Sequence, residues 1–203
     1  LFTHSEGHVR KNSFKILLKQ SEKTNEGIRI LVDFMVEPSL ENGHKFLNLK
    51  QYADGYRRMA VEYLCRSFNS HVDREDMLSL SQILDDILYR ACMLVEEIVT
   101  FKISPDQMLQ DMSWTVFHVC NDITACLRSM LCNKEESFDH AVHIKETGMV
   151  IKHMSAEACD KLDQTKDMVS SLKMGEMYRH CSYVSERGIE AAYVLSDMLV
   201  KLP

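Results

Sequence analysis

Asp73-Arg74-Glu75-Asp76-Met77-Leu78-Ser79-Leu80-Ser81-Gln82-Ile83-Leu84-Asp85-Asp86-Ile87-Leu88 places two carboxylates, Asp85 and Asp86, inside an otherwise apolar helix. From Leu80 the apolar residues recur as Leu84, Ile87, Ala91, Leu94, Ile98 and Phe101, alternating steps of four and three, which is the stripe of a long helix packed on other helices. A neighbouring stripe runs Leu78, Ser81, Asp85, Leu88, Cys92, Val95 and Val99. Asp85 therefore falls at the margin of a packed interface, where an unpaired charge is costly. Two arrangements satisfy it: an ion pair with a neighbouring basic side chain, or a cation held between helices.

The same rhythm extends in both directions. Phe14, Leu17, Ser21, Thr24, Ile28, Leu31 and Met35 predict a first helix from near Asn12 to Glu37-Pro38, where proline ends it. Phe46, Leu49, Ala53, Tyr56, Ala60 and Tyr63 predict a second, stopping around Asn69-Ser70-His71, and Asp73 is the expected N-cap of the third. Ser104-Pro105-Asp106-Gln107 reads as cap, first-turn proline and capping-box glutamine for a fourth helix, whose stripe is Leu109, Met112, Val116, Val119, Ile123, Cys126 and Met130. A fifth, after Asn133-Lys134-Glu135-Glu136, carries Ile144, Gly148, Ile151, Ser155, Ala158, Leu162 and Val169 and is expected to end near Ser170-Ser171. Lys173 to Gly175 is the expected turn into a sixth, with Met177, Cys181, Val184, Gly188, Ala191, Leu195, Met198 and Leu202. No segment shows strand alternation. The fold class is all-α, two tandem antiparallel three-helix bundles, 1–103 and 104–203, packed as one unit.

Composition agrees. With seven Gly and three Pro in 203 residues and 45% hydrophobic content, the chain is rich in helix formers and can bury a core without disulfides. The net charge of -6 with scattered Lys and Arg supplies no basic stripe, which argues against nucleic acid. Apolar runs stop well short of the ~18 residues a membrane span needs. The seven Cys fall mostly on helical stripes and read as small buried hydrophobes; with no CxxC pair and no visible secretory leader, a reducing cytoplasm is the expected compartment.

Among the nine His, His4 with His8 and His140 with His143 have spacings that put two imidazoles on one helix face, and both pairs are expected to be surface histidines. No His-Glu-x-x-His motif, glycine-rich phosphate loop or nucleophile elbow occurs, so the chain does not read as an enzyme. Of the thirteen Met, Met112, Met130 and Met198 lie on core stripes, whereas Met149, Met154, Met168 and Met174 are candidates for an interface with a partner or a second copy.

The Phe68 to Leu88 stretch, with its Asp-Arg-Glu-Asp and Leu-Asp-Asp segments, resembles PhoU-like proteins of the phosphate transport regulator type. Leu49-Lys50-Gln51-Tyr52-Ala53-Asp54 is similar to the family's first acidic motif, and Ile151 to Asp160 and Val184 to Tyr193 to its counterparts in the second half. The resemblance implies two three-helix bundles with paired carboxylates four residues apart that hold metal clusters, and a cytoplasmic regulator, peripheral at the inner face of the membrane, meeting a phosphate transporter or its signalling component.

Onto this sequence the motif carries over with substitutions. Asp54 is present but its partner position is Lys50; Asp85, followed by Asp86, is present but its partner is Tyr89. In the second half the positions hold Ser155 and Cys159, followed by Asp160, and then Glu186 and Glu190. Lys50 is expected to supply the charge a metal would bring, making an ion-pair network with Asp54, Asp85 and Asp86. Glu186 and Glu190, with no replacement cation at the facing motif positions, are the best candidates for a weak divalent or iron site, and otherwise no cofactor is expected. Two function classes follow: a regulator acting by protein contact, and a helical bundle whose bound cation is its functional ligand.

Overall fold

The structure is a computed structural model that describes residues 4–66, 71–130, 132–162 and 167–202, with the side chains at 4–13, 40, 52, 65, 66 and 71–73 outside the described set. Six helices follow one another: α1 (His4–Val36), α2 (Leu40–Arg66), α3 (His71–Phe101), α4 (Gln107–Ser129), α5 (Lys134–Leu162) and α6 (Met168–Val200). Among the described residues there is no strand. No helix is long and apolar enough to cross a membrane.

The first three helices pack on one another, as do the last three, and the two sets meet through α1 on α4 and α3 on α6. The stripes read from the sequence form the core. Leu17, Ile28, Leu80, Ile87, Leu109, Val119, Ile144, Met177 and Leu195 are fully buried in one continuous cluster. Phe101 and Val169 depart from their stripes and are exposed, Phe101 because α3 ends there and Val169 because it belongs to the first turn of α6. Polar groups tie the same seams. Gln20 and Ser81 bond reciprocally between α1 and α3: Ser81 Oγ donates to Gln20 Oε1 at 2.7 Å, and Gln20 Nε2 donates to the Ser81 carbonyl at 2.8 Å. Across the halves, Arg128 reaches Glu22 at 3.0 Å, and Lys201 reaches Asp76 at 2.5 Å.

Several helix ends differ from the sequence expectation. α1 begins at His4 rather than near Asn12, and α3 begins at His71; the Asp73 side chain lies outside the described residues. α4 is capped by Asp106, not Ser104: its carboxylate accepts the Leu109 N–H at 2.8 Å and the Tyr178 hydroxyl, while Gln107 turns away to Asp111. α5 stops at Leu162, and Asp167 caps α6 by accepting the Ser170 N–H at 3.2 Å, so Lys173 to Gly175 is helix, not turn. A Cβ at Gly175 would make only ordinary contact, 3.7 Å from Leu162 Cδ1, so packing there does not demand glycine.

α3 ends in a Schellman closure: Lys102 takes a left-handed φ of 53°, the Ile103 N–H reaches the Ile98 carbonyl at 3.0 Å, and the Lys102 N–H approaches that of Val99 at 3.4 Å. A side chain is strained in this region and glycine is not. Lys102→Gly is therefore expected to stabilise the protein by up to about 1 kcal/mol in urea melts, the relief exceeding the added freedom of the unfolded chain. Gly188 is the opposite case, because a Cβ there would sit 2.5 Å from Val119 Cγ1, a branched side chain with no room to move. Gly188→Val should destabilise by about 1–3 kcal/mol, through overpacking of α4 against α6.

Candidate functional site

The residues singled out in the first half come together in a groove between α2 and α3, about 440 Å³, lined by Lys50, Asp54, Arg57, Arg58 and Asp85. Helical spacing explains this. Positions 50, 54, 57 and 58 share one face of α2, and Asp85 is presented from α3. Lys50 Nζ donates to both oxygens of Asp54 at 2.9 and 3.0 Å. Arg57 Nε lies 3.5 Å from Asp85 Oδ2, an ion pair without hydrogen-bond geometry, while its Nη2 donates to Gln82.

Burial holds the Asp85 carboxyl above its usual value; the Arg57 and Lys50 charges oppose this and Asp54 adds to it. Burial presses the Lys50 ammonium down, but its hydrogen bond to Asp54 and the Asp54 and Asp85 charges more than offset this and hold it above its usual value. The Cys92 thiol is pushed up to about 12, chiefly by burial.

Asp86 and Tyr89 are not part of this groove. Asp86 accepts from Gln82 Nε2 at 2.7 Å, one turn back on its own helix, and Tyr89 is half exposed. The expected network of Lys50 with Asp54, Asp85 and Asp86 thus loses Asp86 and includes Arg57, which the sequence reading passed over.

In the second half, Glu186 is paired across helices with Lys152 at 3.2 Å, and Glu190 along its own helix with Arg187 at 2.6 Å. Both cations lie outside the facing motif positions: Lys152 is one turn before Ser155 on α5, on the side that faces α6, and Arg187 follows Glu186 on α6 itself. Ser155 is buried, whereas Cys159 and Asp160 are exposed. Of the other cysteines, Cys92, Cys120, Cys126 and Cys181 are buried and Cys132 is exposed, so the reading as buried hydrophobes fails for Cys132 and Cys159. Among the described residues no three His, Cys, Asp or Glu side chains gather into a group that could hold a metal ion.

One constellation was missed. Asp122 on α4, with a side chain only 11% exposed, bonds to His140 Nδ1 at 3.2 Å and to His143 Nδ1 at 2.7 Å on α5. The histidine pair is visible in the sequence, but expected as plain surface residues; their carboxylate lies 18 and 21 residues away and only packing brings it under them. His4 and His8 fall on α1 with side chains outside the described residues. Met112, Met130 and Met198 are buried; Met149 and Met168 are exposed, whereas Met154 and Met174 pack against the core.

This architecture is shared with solved structures. A PhoU-like protein from Shewanella oneidensis MR-1 superposes with a TM-score of 0.71 at 11% identity, over 94% of this chain and 100% of the other. The fold is PhoU-like. A second protein of that organism, described as a PhoU-like phosphate regulatory protein, has a TM-score of 0.69 at 12% identity, over 94% and 100%. PhoU from Pseudomonas aeruginosa has a TM-score of 0.63 at 11% identity, over 97% and 99%. No protein-family model matches the chain, and no curated protein does. Each half of this chain sets basic side chains against its carboxylates, Lys50 and Arg57 in the first and Lys152 and Arg187 in the second.

The raised pKa of Asp85 has a sign that can be tested. Between the ordinary value of 3.8 and the raised one, the folded state binds more protons than the unfolded state, so through this group stability grows as pH falls across that window. Asp85→Asn removes the titration. Relative to the unmodified protein, the variant should be more favoured at pH 7 than at pH 4 in paired urea melts; a difference independent of pH would refute the desolvation account.

Proposed function

We propose that this chain is a regulator or accessory protein of phosphate transport, not an enzyme, acting by protein contact on a phosphate transporter or its signalling component at the cytoplasmic side of the membrane. The observation that carries this reading is the agreement in fold over nearly the whole length with PhoU-like structures, one of them described as a phosphate regulatory protein. A fold can host unrelated activities, so the site must be consistent with the reading as well. It is. Lys50 is hydrogen-bonded to Asp54 and Arg57 is ion-paired with Asp85, so each carboxylate of the groove faces a cation.

In this reading the halves 1–103 and 104–203 are two PhoU-like units working as one body, and the acidic motifs are degenerate. Lys50 occupies the place of a cation in the first half, and Lys152 and Arg187 weaken Glu186 and Glu190 as ligands in the second. The bundle then needs no cofactor to hold its shape. Contact surface is supplied by exposed apolar side chains, Met149 and Val150 on α5 and Met168, Val169 and Leu172 at the start of α6, against a helical partner or a second copy.

The test is twofold. Deleting the gene should change phosphate uptake or its regulation, and affinity capture should recover a transporter component rather than nucleic acid; unchanged uptake at low and high phosphate with no such component recovered overturns the proposal. For the degenerate motif, Lys50→Glu with Tyr89→Asp should raise iron uptake above that of the unmodified protein by elemental analysis. Stoichiometric iron in the unmodified protein that is lost with Asp54→Asn and Asp85→Asn would instead favour the bundle whose cation is its ligand.

A further inference from the structure

Asp122 is the most deeply buried carboxylate among the described residues, and no Lys or Arg pairs with it. Its hydrogen-bonding partners are two imidazoles, His140 and His143, one turn apart on α5, each presenting Nδ1 to a different carboxylate oxygen. Two Nδ1–H donors satisfy the oxygens and leave the charge in place, and a buried charge needs compensation. When both rings are neutral and donate through Nδ1, the free lone pair of each is on Nε2. A ligating histidine is ordinarily held in this way, its second ring nitrogen donating to a carboxylate that sets the tautomer and raises ligand basicity.

We propose that His140 and His143 bind a divalent cation of the zinc class through Nε2, with Asp122 as the residue that orients both rings and whose charge the cation balances. Nitrogen donors suit zinc, copper and nickel and discriminate against magnesium and calcium. His143 is 60% exposed and His140 27%, so the site opens to solvent and water fills the remaining coordination positions. Cys126, one turn along α4, contributes no ligand: its thiol is pushed up to about 12, first by burial and then by Asp122, and its Sγ donates to the Ser137 carbonyl at 3.3 Å. The site is independent of the motif groove and of the regulatory reading above.

The test is a zinc titration of the full chain against a chromophoric chelator, with His140→Ala/His143→Ala as the background for all other histidines. The unmodified protein should take up one more zinc per chain than this variant, and either single histidine substitution should abolish that increment. Asp122→Asn, which keeps the shape but removes the charge, should weaken it about 10- to 100-fold. Because Asp122 is buried, circular dichroism is recorded alongside, and the exposed His143→Ala variant keeps the test decisive if Asp122→Asn unfolds. Histidine side-chain NMR should show the Nε2 resonances of residues 140 and 143, not Nδ1, shifting with zinc. An uptake equal in the double variant, or coordination through Nδ1, overturns the proposal.

Discussion

Four of the six helices must bury two faces at once. α1, α3, α4 and α6 each pack within their own set of three and again across the seam, α1 on α4 and α3 on α6, while α2 and α5 pack only within their own set. Everything else follows from that demand. A helix with one apolar stripe can float its polar side in water, but α3 carries two adjacent stripes, so Ser81 and Asp85 fall within or beside an interface. Ser81 is met by Gln20, and Asp85 by Arg57, because leaving either group unpaired would cost about as much as several buried methylene groups contribute.

The seam between the halves is the least satisfied part of the interior. Arg90 stacks on the Tyr183 ring at 4.0 Å with Arg187 behind it at 5.4 Å, and His180, almost fully buried, lies 3.3 Å from Glu97. Among the described residues, Arg90 Nε, Arg187 Nε, Glu97 Oε2 and His180 Nε2 find no hydrogen-bond partner. Guanidinium stacking on tyrosine retains part of the lost hydration energy. Packing of α3 on α6 thus brings the two sets together partly on imperfectly paired polar groups, Arg90 with Tyr183 and Glu97 with His180.

The helices were legible because a three-four stripe is a statement about which side chains share a face, and that geometry holds wherever the helix packs. The boundaries were less so. Ser104 and Asp106 both satisfy the chemistry of an N-cap, and the choice between them is made by Tyr178, whose hydroxyl reaches Asp106 from α6. Gly175 reads locally as a helix stop, yet it lies inside α6, which Asp167 starts eight residues earlier. The site divided in the same way. Lys50 and Asp54 are four apart on one helix and their pairing could be read directly, whereas Arg57 with Asp85, Lys152 with Glu186, and Asp122 with its two histidines each require knowing which helix faces which.

Two kinds of compensation for a buried carboxylate coexist in this chain, and they leave different chemistry behind. An ammonium or guanidinium brings a full charge and has no further lone pair, so Lys50 on Asp54 and Arg57 beside Asp85 balance those carboxylates without offering a ligand atom of their own. An imidazole donating through one nitrogen keeps an acceptor on the other. Asp122 has His140 Nδ1 on one oxygen and His143 Nδ1 on the other, so the second nitrogen of each ring is not engaged by this carboxylate. Lysine placed against a carboxylate leaves no lone pair, whereas paired histidines over a lone aspartate each have a second ring nitrogen, and that difference arises from the donor inventory of the side chains rather than from their position in the fold.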